Sequence, residues 1–401
     1  MTGRSPDTFH PPKLLPRRHG VLRRARSVAG IPTLERMTYD VLMGRGGTAE
    51  TVVVAMSGGV DSSAAAATLA EQGYRVIGVT FLLGGVAEGS PPEACYHYLE
   101  TARRVAEALG LEHRVLDLRE EFRSRVIQPF VSEYLRGRTP NPCVECNRWV
   151  KFPALLRVAD EAGSERVATG HYARVRKNPD GTFSLLRAKD AGKDQSYVLY
   201  RLGQEELRRC LFPNGERSKE QARAFLASRG IPGEKVRESQ DICFLAGWNY
   251  RDFLALHCPE CLKPGPILGT GGEVLGEHEG IAFYTVGQRR GLGVSRSRPL
   301  YVVRLEPERG AVVLGEREEV PGTWLEAERA IWVRGKPPAE EFQATAMARY
   351  NTPPVPCRVR VEGENFTLYF GSRVWALTPG QHAVIYRGDE VLGGGVIARV
   401  G

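Results

Sequence analysis

The run Val52-Val53-Val54-Ala55 leads straight into Met56-Ser57-Gly58-Gly59-Val60-Asp61-Ser62-Ser63. No other stretch of the 401 residues constrains the fold as much. Thr51–Met56 is β-branched and reads as a strand, and Asp61–Gln72 reads as an amphipathic helix. Two glycines let the backbone turn tightly and approach a ligand. The helix N-terminus then aims N–H groups and a positive dipole at an anion. Ser57, Ser62 and Ser63 add hydroxyl donors. Asp61 suits such a place if it helps to hold Mg2+ or caps the helix.

No Gly-Lys-Ser/Thr ending follows, so this is not the kinase-type phosphate loop. It resembles the pyrophosphate loop of enzymes that cleave ATP to AMP and pyrophosphate, in which Phe81, after the second strand, would sit near the adenine. Further strands read at Tyr74–Thr80, His113–Leu118 and Arg166–Thr169, between helices at Ala94–Leu109, Arg119–Arg136 and Val144–Ala162. Strands alternating with helices imply a parallel α/β sheet covered on both faces. Asn178-Pro179-Asp180-Gly181 marks a hairpin, and Ser218-Lys219-Glu220-Gln221 a capping box opening another helix. Beyond about residue 240 short β-like runs follow at Ala282–Val286, Tyr301–Leu305, Ala311–Leu314, Ala344–Arg349, Cys357–Val361, Asn365–Phe370 and Ala383–Arg387. They predict one or two small β domains, the last a barrel.

A chain this long exceeds one core. Residues 1–49 differ from the rest: arginines cluster beside prolines with little periodicity, which reads as a disordered basic extension or an upstream start ahead of Met37 or Met43. The formal net charge is +8, which suits a polyanionic partner such as nucleic acid. No apolar run approaches a membrane span. The N-terminus lacks the apolar segment of a secretory signal, and the eight cysteines are not a disulfide framework in so long a chain. A reducing cytoplasm with chemically used thiols is expected.

Cys143-Val144-Glu145-Cys146 follows a Pro-bounded loop, Thr139-Pro140-Asn141-Pro142, and precedes a helix. A thiol at a helix N-terminus gains thiolate character. Three chemistries suit it: a redox or sulfur-transfer pair, half of a zinc site with Cys258 and Cys261 as the other half, or an iron–sulfur cluster with Cys243. Alone, Cys243 would be an apolar filler. Cys95, Cys210 and Cys357 carry no assigned role.

These motifs, taken in order, resemble the bacterial tRNA-specific 2-thiouridylase family. They are Ser57–Ser63, Thr139–Asn147, Gly170–Arg174, Lys193–Tyr197, Ser239–Phe244, Tyr284–Leu292, Thr378–Gln381 and Leu392–Gly395, and the resemblance runs from about Thr51 to Ile397. The resemblance implies an adenine nucleotide alpha hydrolase-like pyrophosphate-loop domain (50–239), a small central domain (240–319) and a C-terminal β-barrel (320–401). It implies that ATP adenylates the 2-carbonyl oxygen of the wobble uridine and that sulfur arrives as a persulfide on Cys243, with Cys146 as the nucleophile. ATP would be bound by Ala55, Met56, Ser57, Gly58, Gly59, Val60, Asp61, Ser62, Phe81 and Gly170, with Mg2+. Asn141, Pro142 and Cys143 would meet the target base. His171, Lys193, Asp194, Gln195, Arg349, Tyr350 and Gln381 would meet tRNA. The substrates would be tRNAs for Lys, Glu and Gln, and sulfur would come from a donor protein fed by a cysteine desulfurase.

Three features depart from the family: the N-terminal residues, Cys258 with Cys261, and Cys143 where some members carry an acid. The last leaves open a cluster held by Cys143, Cys146 and Cys243. Two other classes compete: a small-molecule ligase or amidotransferase with the same loop, and a tRNA-binding or sulfur-relay module without catalysis. Neither a ligase nor an amidotransferase needs the three thiols or a C-terminal barrel.

Overall fold

The computed structural model describes residues 49–84, 92–232, 242–245 and 249–401. The basic extension (1–48) and Ser239–Asp241 of the Cys243 motif lie outside the described residues.

The first sheet is parallel throughout, in the order β3–β2–β1–β4–β7. Its strands are β1 (Thr51–Ala55), β2 (Arg75–Leu82), β3 (Glu112–Asp117), β4 (Arg166–Ala168) and β7 (Cys210–Leu211). Val53 of β1 belongs to one apolar cluster and Val52 and Val54 to another, so both faces are covered. That is why β1 is a continuous apolar run rather than an alternating one. Chain order reverses between β1 and β4, and the crevice beyond the carboxyl ends of two such strands is where ligands bind in open α/β sheets.

The second sheet has the order β10–β11–β8–β9, with β8 (Gly265–Gly269), β9 (Val274–His278), β10 (Tyr301–Glu306) and β11 (Ala311–Gly315). Ala282–Val286 is not the expected strand. Ile281–Phe283 forms a 3-10 turn, and Ala282, Phe283 and Tyr284 are all buried, so no alternation of faces exists there. Cys258 and Cys261 are joined to each other in a buried disulfide just after the helix Tyr250–His257, which removes them as the second half of a zinc site.

The third sheet closes on itself. Its strands are β12 (Gly322–Trp332), β13 (Glu341–Met347), β14 (Val355–Glu362), β15 (Asn365–Val374), β16 (His382–Arg387) and β17 (Glu390–Val400). They run β12–β15–β14–β13–β16–β17, and β12 pairs again with β17 to complete the barrel. The hairpin β5 (Ala173–Lys177) and β6 (Phe183–Arg187), which follows β4 in the chain, pairs with β17 rather than with the parallel sheet. Among the described residues no helix is long and apolar enough to cross a membrane.

Candidate active site

The loop after β1 turns at Gly58, whose φ of +74° is left-handed. A Cβ there would lie 2.7 Å from the backbone nitrogen of Ala102. The helix α1 (Val60–Glu71) starts at Gly59 with no side-chain cap. Its first N–H groups are therefore left for a ligand, the arrangement that binds phosphate. Ser62 Oγ accepts from the Ser57 amide at 3.1 Å and donates to the Gly59 carbonyl at 3.1 Å, which fixes the loop. Asp61 does not cap. Its carboxylate accepts from the Tyr172 hydroxyl at 2.8 Å and pairs with Lys219 Nζ at 3.3 Å.

The loop after β4 closes the other side of the crevice. A Cβ on Gly170 would lie 2.6 Å from the Asp61 carbonyl carbon and the Ser62 nitrogen, so only glycine lets the two loops meet. Asn214, fully buried, donates its amide to the carbonyls of Asp61 (2.8 Å) and Gly170 (3.0 Å) and ties them together. Phe81 is buried at the end of β2, and its carbonyl accepts from the Tyr98 hydroxyl at 3.1 Å.

The thiols sit beside this crevice on a helix built from Pro142–Cys146, a π-turn at Asn147–Lys151 and Phe152–Glu161. Asn141 Oδ1 caps it by accepting from the Cys143 amide at 3.1 Å, and Pro142 fills the first helical position. Cys143 reaches solvent at one edge, yet surrounding protein pushes its thiol up to about 11. Burial pushes Cys146 up to about 12. Cys243 is exposed, and its charge bears on both Cys143 and Cys146, which puts the three thiols in one cluster. Lys151 is the cation that pulls Cys143 and Cys146 back toward ionisation. It is itself held above its ordinary value, first by charge on Cys146 and against the effect of burial.

His171 stacks on Phe152 at 6.3 Å, and its Nδ1 lies 2.8 Å from Thr169 Oγ1. Burial, with Lys151 adding to it, lowers His171 to about 3, so the imidazole is neutral. From the barrel, Tyr350 packs 5.6 Å from Tyr197 and hydrogen bonds to Gln195. Burial raises it to about 12, with Asp194 and Cys143 contributing. Arg349 lies near Tyr134 and Tyr197, close enough to favour their ionised forms, although burial outweighs it at both.

The residues singled out in the sequence thus divide. Ser57–Ser62 with Gly170 form one group, and Cys143, Cys146, Cys243, His171, Gln195 and Tyr350 a second beside it. Two others spend their polar groups inside the protein. Asp194 is buried and accepts from Arg187, the Ala188 amide, and both the amide and hydroxyl of Ser196. Gln381 is buried and donates to the Thr139 carbonyl at 2.9 Å. Lys193 is half-buried beside Asp194, its amide bonded to the Asp190 carbonyl at 3.1 Å. Lys151, Tyr172, Lys219 and Asn214 were not legible in advance. Each is a lone polar residue with no motif around its role, although Lys219 stood inside the capping box and Tyr172 inside the Gly170 motif.

Among the described residues no three His, Cys, Asp or Glu side chains are placed to hold a metal ion. Cys143, Cys146 and Cys243 do not form such a set. A magnesium ion riding on phosphates needs only one or two carboxylates, and the Asp61 carboxylate is the one at this loop that could supply it.

Residues 50–247 match the domain family described as the tRNA methyl transferase HUP domain. Residues 251–316 match the tRNA methyl transferase PRC-barrel domain, and residues 323–397 the aminomethyltransferase beta-barrel domain. The tRNA-specific 2-thiouridylase MnmA of Chloroflexus aurantiacus is 46% identical over 352 residues, covering 87% of this chain and 98% of the relative. The protein of the same name from Geobacter metallireducens is 46% identical over 354 residues, covering 86% of this chain and 96% of the relative. Among solved structures, a 4-thiouridine synthetase–RNA complex with bound ATP is similar at a TM-score of 0.34 and 18% identity, over 53% of this chain and 51% of that one. With near-full-length identity to such relatives, the chain belongs to the tRNA-specific 2-thiouridylase family.

Proposed function

We propose that this protein is a tRNA-uridine 2-sulfurtransferase that uses ATP to replace the 2-oxygen of the wobble uridine with sulfur. The observation that carries the reading is the cluster of Cys143, Cys146 and Cys243 beside an uncapped α1 N-terminus, in a chain of this family. The matching domain families bear a methyltransferase label, but methyl transfer has no use for three thiols around a lysine. Sulfur transfer does.

The uridine oxygen is a poor leaving group, whereas AMP is a good one. The α1 N-terminus and the Ser57–Ser62 loop would hold the triphosphate while the 2-oxygen displaces pyrophosphate. Magnesium held at Asp61 would neutralise phosphate charge there. Asn214 and Gly170 keep the two loops in register for that step.

The outer sulfur of a Cys243 persulfide then attacks C2. The Cys146 thiolate attacks Cys243 Sγ: the Sγ–Sγ bond forms, the bond from Cys243 to the outer sulfur breaks, and the electron pair leaves with that sulfur. Re-formation of the C2 double bond, now to sulfur, expels AMP. The outer sulfur is reduced, the two thiols end as a Cys146–Cys243 disulfide, and a thiol reductant reopens it. The Cys146 proton goes to water. His171, neutral, is suited to hydrogen bonding rather than to charge. Asn141–Cys143 border the base, and Gln195, Arg349 and Tyr350 face the RNA. Lys193 faces the RNA with them, while Asp194 and Gln381 act from behind, by holding these loops. The sulfur comes from a donor protein fed by a cysteine desulfurase, the tRNAs are those for Lys, Glu and Gln, and the setting is the cytoplasm.

The test is purification without oxygen, measurement of bound iron and sulfide, and ATP-dependent thiolation of tRNA on the same sample. Thiolation by iron-free enzyme supports the persulfide route. Activity that rises and falls with bound iron overturns it.

A further inference from the structure

Lys151 is a partly buried ammonium at the end of the π-turn, and no described residue makes a hydrogen bond or ion pair with it. A charge withdrawn from water is costly unless something opposite faces it. Among the described residues, the groups whose charge is coupled to that of Lys151 are three thiols, Cys143, Cys146 and Cys243, together with the neutral ring of His171. The backbone explains the alignment. The Phe152 amide bonds to the Asn147 carbonyl, which widens the turn by one residue. Cys146 and Lys151, five apart, then stand as residues four apart do on a regular helix, one above the other. A regular helix would have turned the lysine away.

We propose that Lys151 is the positioning cation of sulfur transfer, holding Cys146 as the thiolate that attacks Cys243. The inference rests on the two-thiol reading above. It accounts for a site in which burial keeps Cys146 protonated at rest and therefore protected from adventitious oxidation. It also accounts for how that thiol is ionised when needed: the ammonium stays protonated and compensates the negative sulfur, and the thiol proton leaves to water. Among the described residues, the charged and titratable groups that act on Cys146 are Lys151, Cys143 and Cys243. Lys151 is the one among them that favours the thiolate.

The test uses ligand-free, full-length enzyme and methyl methanethiolsulfonate, a small thiolate-selective reagent, with modification of each cysteine followed by peptide mass spectrometry at several pH values. In Lys151→Met, Cys146 should react about tenfold more slowly or worse at every pH, because each pKa unit is a factor of ten in thiolate. Lys151→Arg, which keeps the charge, should restore most of the rate. Cys357, buried in the barrel, reports folding and should stay protected in both variants. A Met variant with wild-type Cys146 reactivity overturns the proposal, as does one that merely raises the KM for ATP, since the lysine would then serve phosphate. The reaction needs neither ATP nor tRNA, so a negative result leaves the sulfurtransferase reading standing. Absence of tRNA thiolation by the wild type would remove that reading and leave the thiol chemistry measured.

Discussion

A single methyl group separates Gly170 from a side chain that the crevice has no room for. Its Cβ would press on backbone atoms of Asp61 and Ser62 at 2.6 Å, and backbone cannot swing aside as a side-chain tip can. Gly170→Ala should raise the KM for ATP by about tenfold or more, roughly 1.4 kcal/mol, while tRNA affinity stays near wild type. Steady-state titration of each substrate checks it, and an unchanged KM for ATP would mean the two loops do not form the nucleotide site. The buried histidines make a second residue-scale prediction. Burial lowers both His171 and His382 to about 3 from an ordinary 6.5. Unfolding exposes them, so the unfolded chain takes protons that the folded one refuses. The stability carried by the neutral rings is therefore complete above about pH 6.5 and drains as pH falls from there toward 3, at up to about 1.4 kcal/mol per pH unit per ring. Urea midpoints measured between pH 7 and 5 should fall in the wild type and fall less in His171→Asn/His382→Asn. The Ser57–Ser63 loop was legible from sequence because its chemistry is local. Lys151 was not, because one lysine has no pattern until a π-turn aligns it with a thiol.

At the level of elements, β17 is the instructive miss. Gly393-Gly394-Gly395 belongs to no strand predicted from the sequence, yet it lies inside an eleven-residue strand that is buried from Val391 to Ile397. The barrel closes here, and β17 meets β12 on one side and β16 on the other. A Cβ on Gly394 would lie 2.5 Å from the Ala383 carbonyl oxygen and 2.9 Å from the ring of Tyr200. Close approach of another backbone is a standing reason for glycine in a strand, and propensity alone cannot reveal it. Gly394→Ala should therefore destabilise the protein by about 1–3 kcal/mol, the usual cost of overpacking, rather than stabilise it by restricting the unfolded chain. Thermal unfolding decides the sign. The β5–β6 hairpin shows the complementary case. Its turn was plain from Asn178–Gly181, but its partner was not, because hairpin chemistry fixes register within the pair and says nothing about the sheet the pair will join.

At the scale of the whole molecule, we propose the division near residues 239/240 and 319/320 as one of sequence rather than of independent stability. Val53 and Val167 of the parallel sheet, Leu185 of the hairpin, Tyr197 and Tyr200, and Val384, Tyr386 and Val391 of the barrel belong to one continuous apolar cluster. The Tyr200 hydroxyl meets His382 Nδ1 at 2.9 Å, and Tyr197 donates to the His382 carbonyl at 2.8 Å, so polar contacts cross the same seam. The barrel turn locks onto the loop ahead of the thiol-bearing helix as well, through Thr139 N–H to the Pro379 carbonyl (2.9 Å) and Gln381 to the Thr139 carbonyl. A chain ending at residue 319 would leave Leu185, Tyr197 and Tyr200 facing water, and an exposed apolar face of that kind drives aggregation. Such a truncation should be insoluble or molten, and residues 49–401 should unfold in one calorimetric transition whose van't Hoff and calorimetric enthalpies agree. Two resolved transitions would mean that the barrel is a separate folding unit. The same coupling bears on function. If Arg349 and Tyr350 hold RNA while Cys146 and Cys243 exchange sulfur, the barrel must keep its position to within the reach of a thiol, and a shared core is what fixes it. The net charge of +8 then acts over the whole surface. tRNA affinity should fall linearly on a log–log plot against salt, as phosphate contacts release counterions, whereas the KM for ATP, set by the α1 N-terminus and its loop, should change far less. A tRNA affinity indifferent to salt would place recognition in base contacts alone and remove the electrostatic role assigned to the basic surface.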